Sequence, residues 1–167
     1  MSDQIGADNL QPASPAFQEQ GDRIAPNRAP HELYQLLFNA VNDAIVLVDA
    51  ETGTFVTVND TFCRMTGFSR QEAQGLAIEV LFTGTPPFSR EEARECIRRT
   101  VTAGPQLLEW LAQDRHGRRH WVELNLKALV LDRKTYVLGT VRDIQARKEM
   151  EAKAQQSEGA MLALLHA

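Results

Sequence analysis

The sequence predicts an α+β domain, one antiparallel sheet with short helices gathered on one face. Three observations carry this. Two segments rich in alternating or β-branched apolar residues lie early, at 44–49 and 54–58, and three more lie late, between 106 and 142. Between the two groups the pattern changes to that of short, capped helices. The three late segments are joined by short turns, which makes them a meander of neighbouring antiparallel strands. Strands with the helices segregated between them put those helices on one face of the sheet.

Residues 1–30 are polar and carry Pro12, Pro15, Pro26 and Pro30. They offer too little apolar surface to offset the entropy of ordering. A flexible tail is expected there, with a binding segment as the alternative. A helix is expected from about His31 to Val41, because Leu33, Leu36, Leu37 and Ala40 recur at helical spacing. Tyr34, Phe38 and Val41 widen the stripe to a second side, so this helix should pack on two surfaces at once.

A hairpin follows. Ala44 to Asp49 is rich in β-branched residues, Glu51 to Gly53 supplies turn chemistry, and Thr54 to Val58 alternates. Asn59 then caps a short helix that Gly67 ends. Ser69 and Glu72 have capping-box spacing, as do Ser89 and Glu92. The second box opens the best central helix, with Ala93, Cys96, Ile97 and Val101 on one face and Gly104-Pro105 as its stop. The late strands are expected at Gln106–Ala112, Arg119–Leu131 and Thr135–Arg142, with turns at Asp114–Gly117 and Asp132–Lys134. From Ile144 the composition is helix-forming, but Glu151, Gln155 and Glu158 interrupt a heptad seam. The expected organisation is a tail at 1–30, a domain at 31–143 and a linker helix at 144–167.

The 167 residues suffice for one domain with a full core and are marginal for two. A net charge of −4, with no basic face, argues against a nucleic-acid partner. The run from Arg115 to Arg119 is expected to be a solvated hairpin tip. Cys63 and Cys96 lie far apart without a CxxC pair, so neither a disulfide framework nor a metal site is expected. No apolar stretch approaches the ~20 residues that span a bilayer. The N-terminus lacks the pattern of a signal peptide, and the expected address is the cytoplasm. No nucleophile–base pair, phosphate loop or paired carboxylates are present in the pattern, so no catalytic residue is assigned and the chain is not read as an enzyme.

Side chains alternate faces along a strand. Val122, Leu124, Leu126 and Ala128 share one face, with Leu108, Trp110, Val137, Gly139 and Val141 at matching positions. This face should pack on the helices and line any cavity. The candidate pocket is Phe62, Phe88, Ile97, Leu108, Trp110, Leu124 and Val137, with Gly139 leaving space where a side chain would stand; a filled core is the alternative. The other face mixes Leu107, Leu111, Trp121, Tyr136 and Leu138 with charges. An exposed apolar patch of this kind marks an interaction site. The helix at 31–41 is its natural cover, and Leu33, Leu37 and Phe38 join the list for a homodimer interface.

Four stretches together resemble the PAS family: Val58-Asn59 followed by Phe62; Met65 to Phe68 leading into Ser69 and Glu72; Pro86 to Ser89 through Gly104-Pro105, Glu109-Trp110, Gly117 and Trp121 to Glu123; and Val141 to Ile144 with Arg147-Lys148. The last is similar to the Asp-Ile-Thr signature that joins many PAS domains to signalling helices, with Gln145 in the third position. The resemblance spans about residues 31 to 150. It implies a PAS fold: a five-stranded antiparallel sheet, short helices on one face, flanking N- and C-terminal helices and a small-molecule pocket. It also implies dimerisation through the flanking helices, with Asp143 and Arg147 coupling sheet to helix. Bacterial domains of this appearance sit upstream of a histidine kinase or a diguanylate cyclase. A partial echo of Leu36–Ala40 at Leu164–Ala167 raises a second PAS domain as another neighbour.

The cofactor is not named by the sequence. Haem-binding relatives carry an axial His on the long central helix, and here Ser89 to Ala103 contains none, which argues against haem. Phe62-Cys-Arg64 superficially resembles the photoreceptor motif but stands too early, and Gly75 to Phe82 has no Cys. That argues against a photoactive flavin. A non-photochemical flavin or a small metabolite stays open. Two functions follow: a ligand-responsive sensor that moves its flanking helices, or a ligand-free dimerisation module.

Overall fold

The computed structural model describes residues 30–167. The elements are α1 (Pro30–Ala40), β1 (Ala44–Asp49), β2 (Phe55–Val58), α2 (Asp60–Thr66), α3 (Arg70–Ala73), a 3-10 turn at Ile78–Leu81, α4 (Arg90–Ala103), β3 (Gln106–Gln113), β4 (Arg119–Leu131), β5 (Lys134–Asp143) and α5 (Gln145–Leu165). The sheet is five-stranded, antiparallel and ordered β2-β1-β5-β4-β3. The expectation of a tail lies, but for Pro30, outside the described residues.

Local chemistry explains the helix boundaries. Ser69 and Ser89 each accept from the N–H three residues on, and Glu72 and Glu92 reach back to the serine N–H. Gly67 ends α2 with φ +80°, a left-handed conformation suited to glycine. The 3-10 turn has no counterpart in the sequence reading. It is placed from outside: Thr54 bridges Ala77 and Phe82 bridges Ala112, tying the segment to β2's entrance and to β3.

The meander of β3, β4 and β5 is in the register that alternation implies, with Trp110 opposite Val122, Leu108 opposite Leu124, and Leu126 opposite Gly139. The β4–β5 turn is tighter than expected. Leu131 pairs with Lys134, leaving Asp132 and Arg133 as a two-residue turn with φ +50° and +64°.

The β3–β4 tip is not a free solvated loop. Arg115 donates to the Gly67 carbonyl at 3.0 Å, stands 5.1 Å from the Phe68 ring centroid and pairs with Glu72. A Cβ on Gly67 would meet the Arg115 chain at 2.9 Å, so the approach depends on that glycine. Beneath the tip, Asp114 is buried and accepts from the N–H groups of His116 (2.8 Å) and Arg118 (3.0 Å), and from the Arg118 guanidinium (2.7 Å). Burial pushes this carboxyl up, but the donors from Arg118 and His116 outweigh it and hold it at about 2. The folded value lies below the unfolded one of about 3.9. The stabilisation is therefore present above about pH 4 and is lost as the pH falls toward 2. Melting curves recorded between about pH 2 and pH 5 should show acid destabilisation that Asp114→Asn largely flattens.

The helix α1 does not cover the sheet as expected. It has no buried residue, and Tyr34, Leu36 and Leu37 are 54%, 42% and 55% exposed. It is fastened at its end instead. Asn39 accepts from the Asp60 N–H (3.0 Å) and from Arg70 (2.8 Å), and the Phe38 carbonyl accepts from Asn59. These bonds carry the helix end toward α2 and α3. Among the described residues no helix is long and apolar enough to cross a membrane.

Candidate functional site

The inner sheet face and the helices line a partly open apolar cavity of about 100 Å³. Val46 and Val48 enter from β1, Phe55 from β2, Trp110 from β3, Leu124 and Leu126 from β4, and Val137, Gly139 and Val141 from β5. The opposite wall is Phe62 of α2, Ile78 and Leu81 of the 3-10 turn, Phe82, and Ala93, Cys96 and Ile97 of α4. Trp110 bears the only nitrogen or oxygen side-chain atom of this lining.

Gly139 opens the cavity's floor. It pairs with Val46 on one side and Leu126 on the other, and a Cβ built on it would lie 2.9 Å from Val46 Cγ2 and 3.2 Å from Leu126 Cδ2. Gly139→Ala would push those side chains toward the void. The expected cost is about 1–3 kcal/mol, as for overpacking elsewhere, with loss of uptake of any small molecule. Urea unfolding and a fragment titration check the two effects.

Of the expected pocket residues, the structure brings Phe62, Ile97, Trp110, Leu124, Val137 and Gly139 together around the cavity. Phe88 and Leu108 are not in its lining. Leu108 packs with the cluster of Ala93, Trp110 and Val122 beside the void. Phe88, in the loop before α4, touches Trp110 edge-on at 5.3 Å and Trp121 edge-on at 5.4 Å. It is packed against the same cluster and touches the cavity wall through Trp110. Sequence reasoning missed the walls from β1, β2 and the 3-10 turn. Alternation in 44–49 was a usable signal for Val46 and Val48, and there was none for Ile78 and Leu81.

The start of α5 is fixed on β3 and β4. The Ile144 N–H donates to the Trp121 carbonyl (2.9 Å), and the Trp121 N–H donates to Gln145 Oε1 (3.0 Å). Gln145, at the third position of the Asp-Ile-Thr-like stretch, thus supplies a side-chain oxygen to β4. Lys148 Nζ lies 4.9 Å from the Trp121 ring centroid and pairs with Glu109, which Arg147 also contacts at 2.7 Å. The Lys148 ammonium holds the Glu109 carboxyl below the usual range. Asp143 acts locally, accepting from the Gln145 N–H at 2.8 Å. Asp143 and Arg147 thus hold α5 by separate contacts.

The expected interface residues are divided. Leu107 is 70% exposed, Leu37 55%, and Leu33, Phe38, Leu111, Tyr136 and Leu138 are half-buried. Trp121 is already engaged within the chain, edge-on by Phe88 and by Lys148 from α5.

Neither haem nor flavin fits this cavity. None of the histidines lines it, so iron would have no axial nitrogen. No Asn or Gln lines it to read the polar edge of a flavin ring. Cavities for drug-sized ligands run to about 300–1,000 Å³, well above this volume. Cys96 reaches the lining, and burial pushes its thiol up, away from the thiolate. Among the described residues no cluster of His, Cys, Asp and Glu could hold a metal ion.

Such a sheet, its helical cover and the apolar pocket between them define the class of the molecule, an α+β module built around a pocket. The family model described as PAS domain matches residues 42–146, and the chain belongs to that family. PAS domains are sensory and generally non-catalytic, and no enzyme family is indicated for this chain. The PAS domain of an HTR-like protein from Haloarcula marismortui is similar at 26% identity and TM-score 0.61, covering 68% of this chain and 91% of that one. A domain of the sensory box sensor histidine kinase/response regulator from Geobacter sulfurreducens is 28% identical with TM-score 0.55, covering 68% and 93%. The PAS domain of a protein from Colwellia psychrerythraea, at 23% identity and TM-score 0.61 over 70% and 98%, shares the fold. No curated protein matches the sequence significantly.

Proposed function

We propose that this chain is the sensing part of a cytoplasmic signal-transduction protein. Its cavity takes up a small molecule, and the packing around that molecule sets how α5 is held. The state of α5 then governs a C-terminal output domain, a histidine kinase or diguanylate cyclase, or a second PAS domain. One observation carries this reading: unbroken contact from the cavity wall to the helix. Trp110 lines the cavity, Phe88 touches Trp110 and Trp121, and Lys148 of α5 stacks over Trp121. A ligand that prefers one packing of Trp110 and Phe88 shifts the equilibrium by its difference in affinity for the two. Arg147 and Lys148 on Glu109, and Asp143 on Gln145, are the couplers. The likeness to a sensor histidine kinase domain supports the kinase as output.

A homodimer belongs to this proposal, with α1 and the outer sheet face as its surfaces. A second reading, a ligand-free dimerisation module, is favoured by the same exposed apolar side chains, Leu37 and Leu107 above all. Native mass spectrometry against the denatured mass separates them. A dimer with releasable extra mass supports sensing. A dimer that carries none, and takes up no small apolar fragment when soaked with one, leaves the interaction module. Deletion of residues 31–41 with an unchanged solution mass would remove α1 from the interface.

A further inference from the structure

β4 outruns one of its neighbours. β3 pairs with it only from Arg119 to Leu126, whereas β5 pairs with it as far as Leu131. Among the described residues, 127–131 therefore have β5 on one side and no strand on the other. Asp132 and Arg133 form the two-residue turn that follows, and such a turn closes through a hydrogen bond between the residues flanking it, Leu131 and Lys134. Backbone direction alternates along an antiparallel strand, so Val130 turns its N–H and carbonyl away from β5, toward the open edge. The far end of β4 agrees: Trp121 is an even number of residues from Leu131, and its carbonyl accepts from Ile144, just beyond β5. Both faces of the open segment are apolar. Leu129, Val130 and Leu131 are 38%, 73% and 61% exposed. An edge of this kind is a template for another strand unless charge, proline or a bulge blunts it. Residues 128–131 hold no charge and no proline, and the β4–β5 register runs without a bulge.

We propose that this edge takes up the same edge of a second copy of the chain, antiparallel about a two-fold axis at Val130. The segment is complementary to itself. Val130 donates its N–H to the carbonyl of the partner's Val130 and accepts the return bond, as in any hydrogen-bonded antiparallel pair. Leu129 stands opposite the partner's Leu131, and Leu131 opposite the partner's Leu129, so apolar side chains meet on a shared face. Charge fits as well. Lys127 and Asp132 are exposed, and the pairing brings each Asp132 beside the partner's Lys127. A foreign strand would need apolar side chains on both faces and the right charge at each end; a second copy has both by symmetry. The contact is separate from α1 and does not depend on ligand uptake. It is also small, a few residues a side against the about 20–30 of a standard interface. Association through it should therefore be weak and concentration-dependent.

Cysteine pairing in the full chain locates the axis. Under mild oxidation Val130→Cys should cross-link to its own copy several-fold above wild type, whose half-buried Cys63 and Cys96 set the background. Opposed residues of a hydrogen-bonded pair lie about 5.5 Å apart at Cα, within disulfide reach. Leu129→Cys and Leu131→Cys should each cross-link poorly alone and well when mixed. Two copies of either position stand two residues out of step, about 8 Å apart at Cα, beyond that reach. In the unsubstituted chain the Val130 amide should exchange with solvent several-fold more slowly as protein concentration rises. Val130→Lys sets two ammonium groups on the axis and should abolish that dependence along 127–131. Deletion of residues 31–41 should leave the Val130→Cys cross-link in place. A dimer that persists with no cross-link at Val130, and none between Leu129→Cys and Leu131→Cys, would overturn the edge pairing and leave α1 and the outer sheet face as the contact. A Val130 amide whose exchange ignores concentration overturns it as well, whether or not the cysteine variants fold.

Discussion

Asn59→Ala should destabilise the domain by about 3–5 kcal/mol, among the largest losses available from one polar side chain. Asn59 is 0% exposed and uses its whole amide. Its Oδ1 accepts from the Ile45 N–H at 2.9 Å and the Phe62 N–H at 3.0 Å; its Nδ2 donates to the Phe38 carbonyl at 3.0 Å and the Asp43 carbonyl at 3.1 Å. One side chain thus caps α2, completes the first residues of β1 and ties the end of α1 to both. Alanine removes the cap, worth about 1 kcal/mol, and leaves two N–H and two carbonyl groups of the interior short of a partner. Asn59→Ser separates the contributions. Serine keeps a capping oxygen for Phe62 but lacks the amide's reach to β1 and α1, so its loss should fall between wild type and alanine. Urea unfolding measures both, and amide exchange in α1 should quicken in each. A serine variant as stable as wild type would show that the cap is the whole of the effect.

Trp110→Ala should cost a similar amount, about 3–5 kcal/mol, because it removes a large ring from a packed wall. That ring stands 5.4 Å from Phe82 and 5.3 Å from Phe88, in a cluster with Ala93 and Val122. The variant's enlarged void has the shape of the missing side chain. Added indole should raise its melting temperature progressively with concentration, as any ligand of the native state does, and should leave wild type nearly unchanged. Amide exchange through the first turns of α5 should increase, since Phe88 would lose one of the two rings that position it beside Trp121. A loss under about 1 kcal/mol without an indole response would place Trp110 outside the supporting core. An α5 as protected as in wild type would break the chain of contact from cavity to helix.

Much of the domain was legible because its signals are local. The two serine–glutamate capping boxes and Gly67 marked helix ends through bonds made within a few residues. The alternation in 106–142 sorted inner from outer side chains because hairpin-linked strands inherit their register from short turns. That reading placed Trp110, Leu124, Val137 and Gly139 on one face, and the cavity is built on it. The failures share a different cause. Phe88 sits in a loop, where no period tells which way a ring turns. Arg115 reads as one charge in a basic run, yet its partners Gly67, Phe68 and Glu72 lie more than forty positions earlier in the chain. Trp121 reads as outer-face surface, but α5 folds back and takes its backbone and its ring.

Residue order alone thus carries the α+β class, the meander and the apolar identity of the inner face, since each follows from turn chemistry and the two-residue period of a strand. The cavity belongs to long-range pairing. Placing β1 beside β5 sets Val46 against Gly139, and the absence of a Cβ there becomes space only because a neighbour so distant in sequence leans over it. The same holds for the grip on α5. Each is a meeting of segments whose contacts depend on the closed fold, and no local pattern encodes which of several apolar partners will be met.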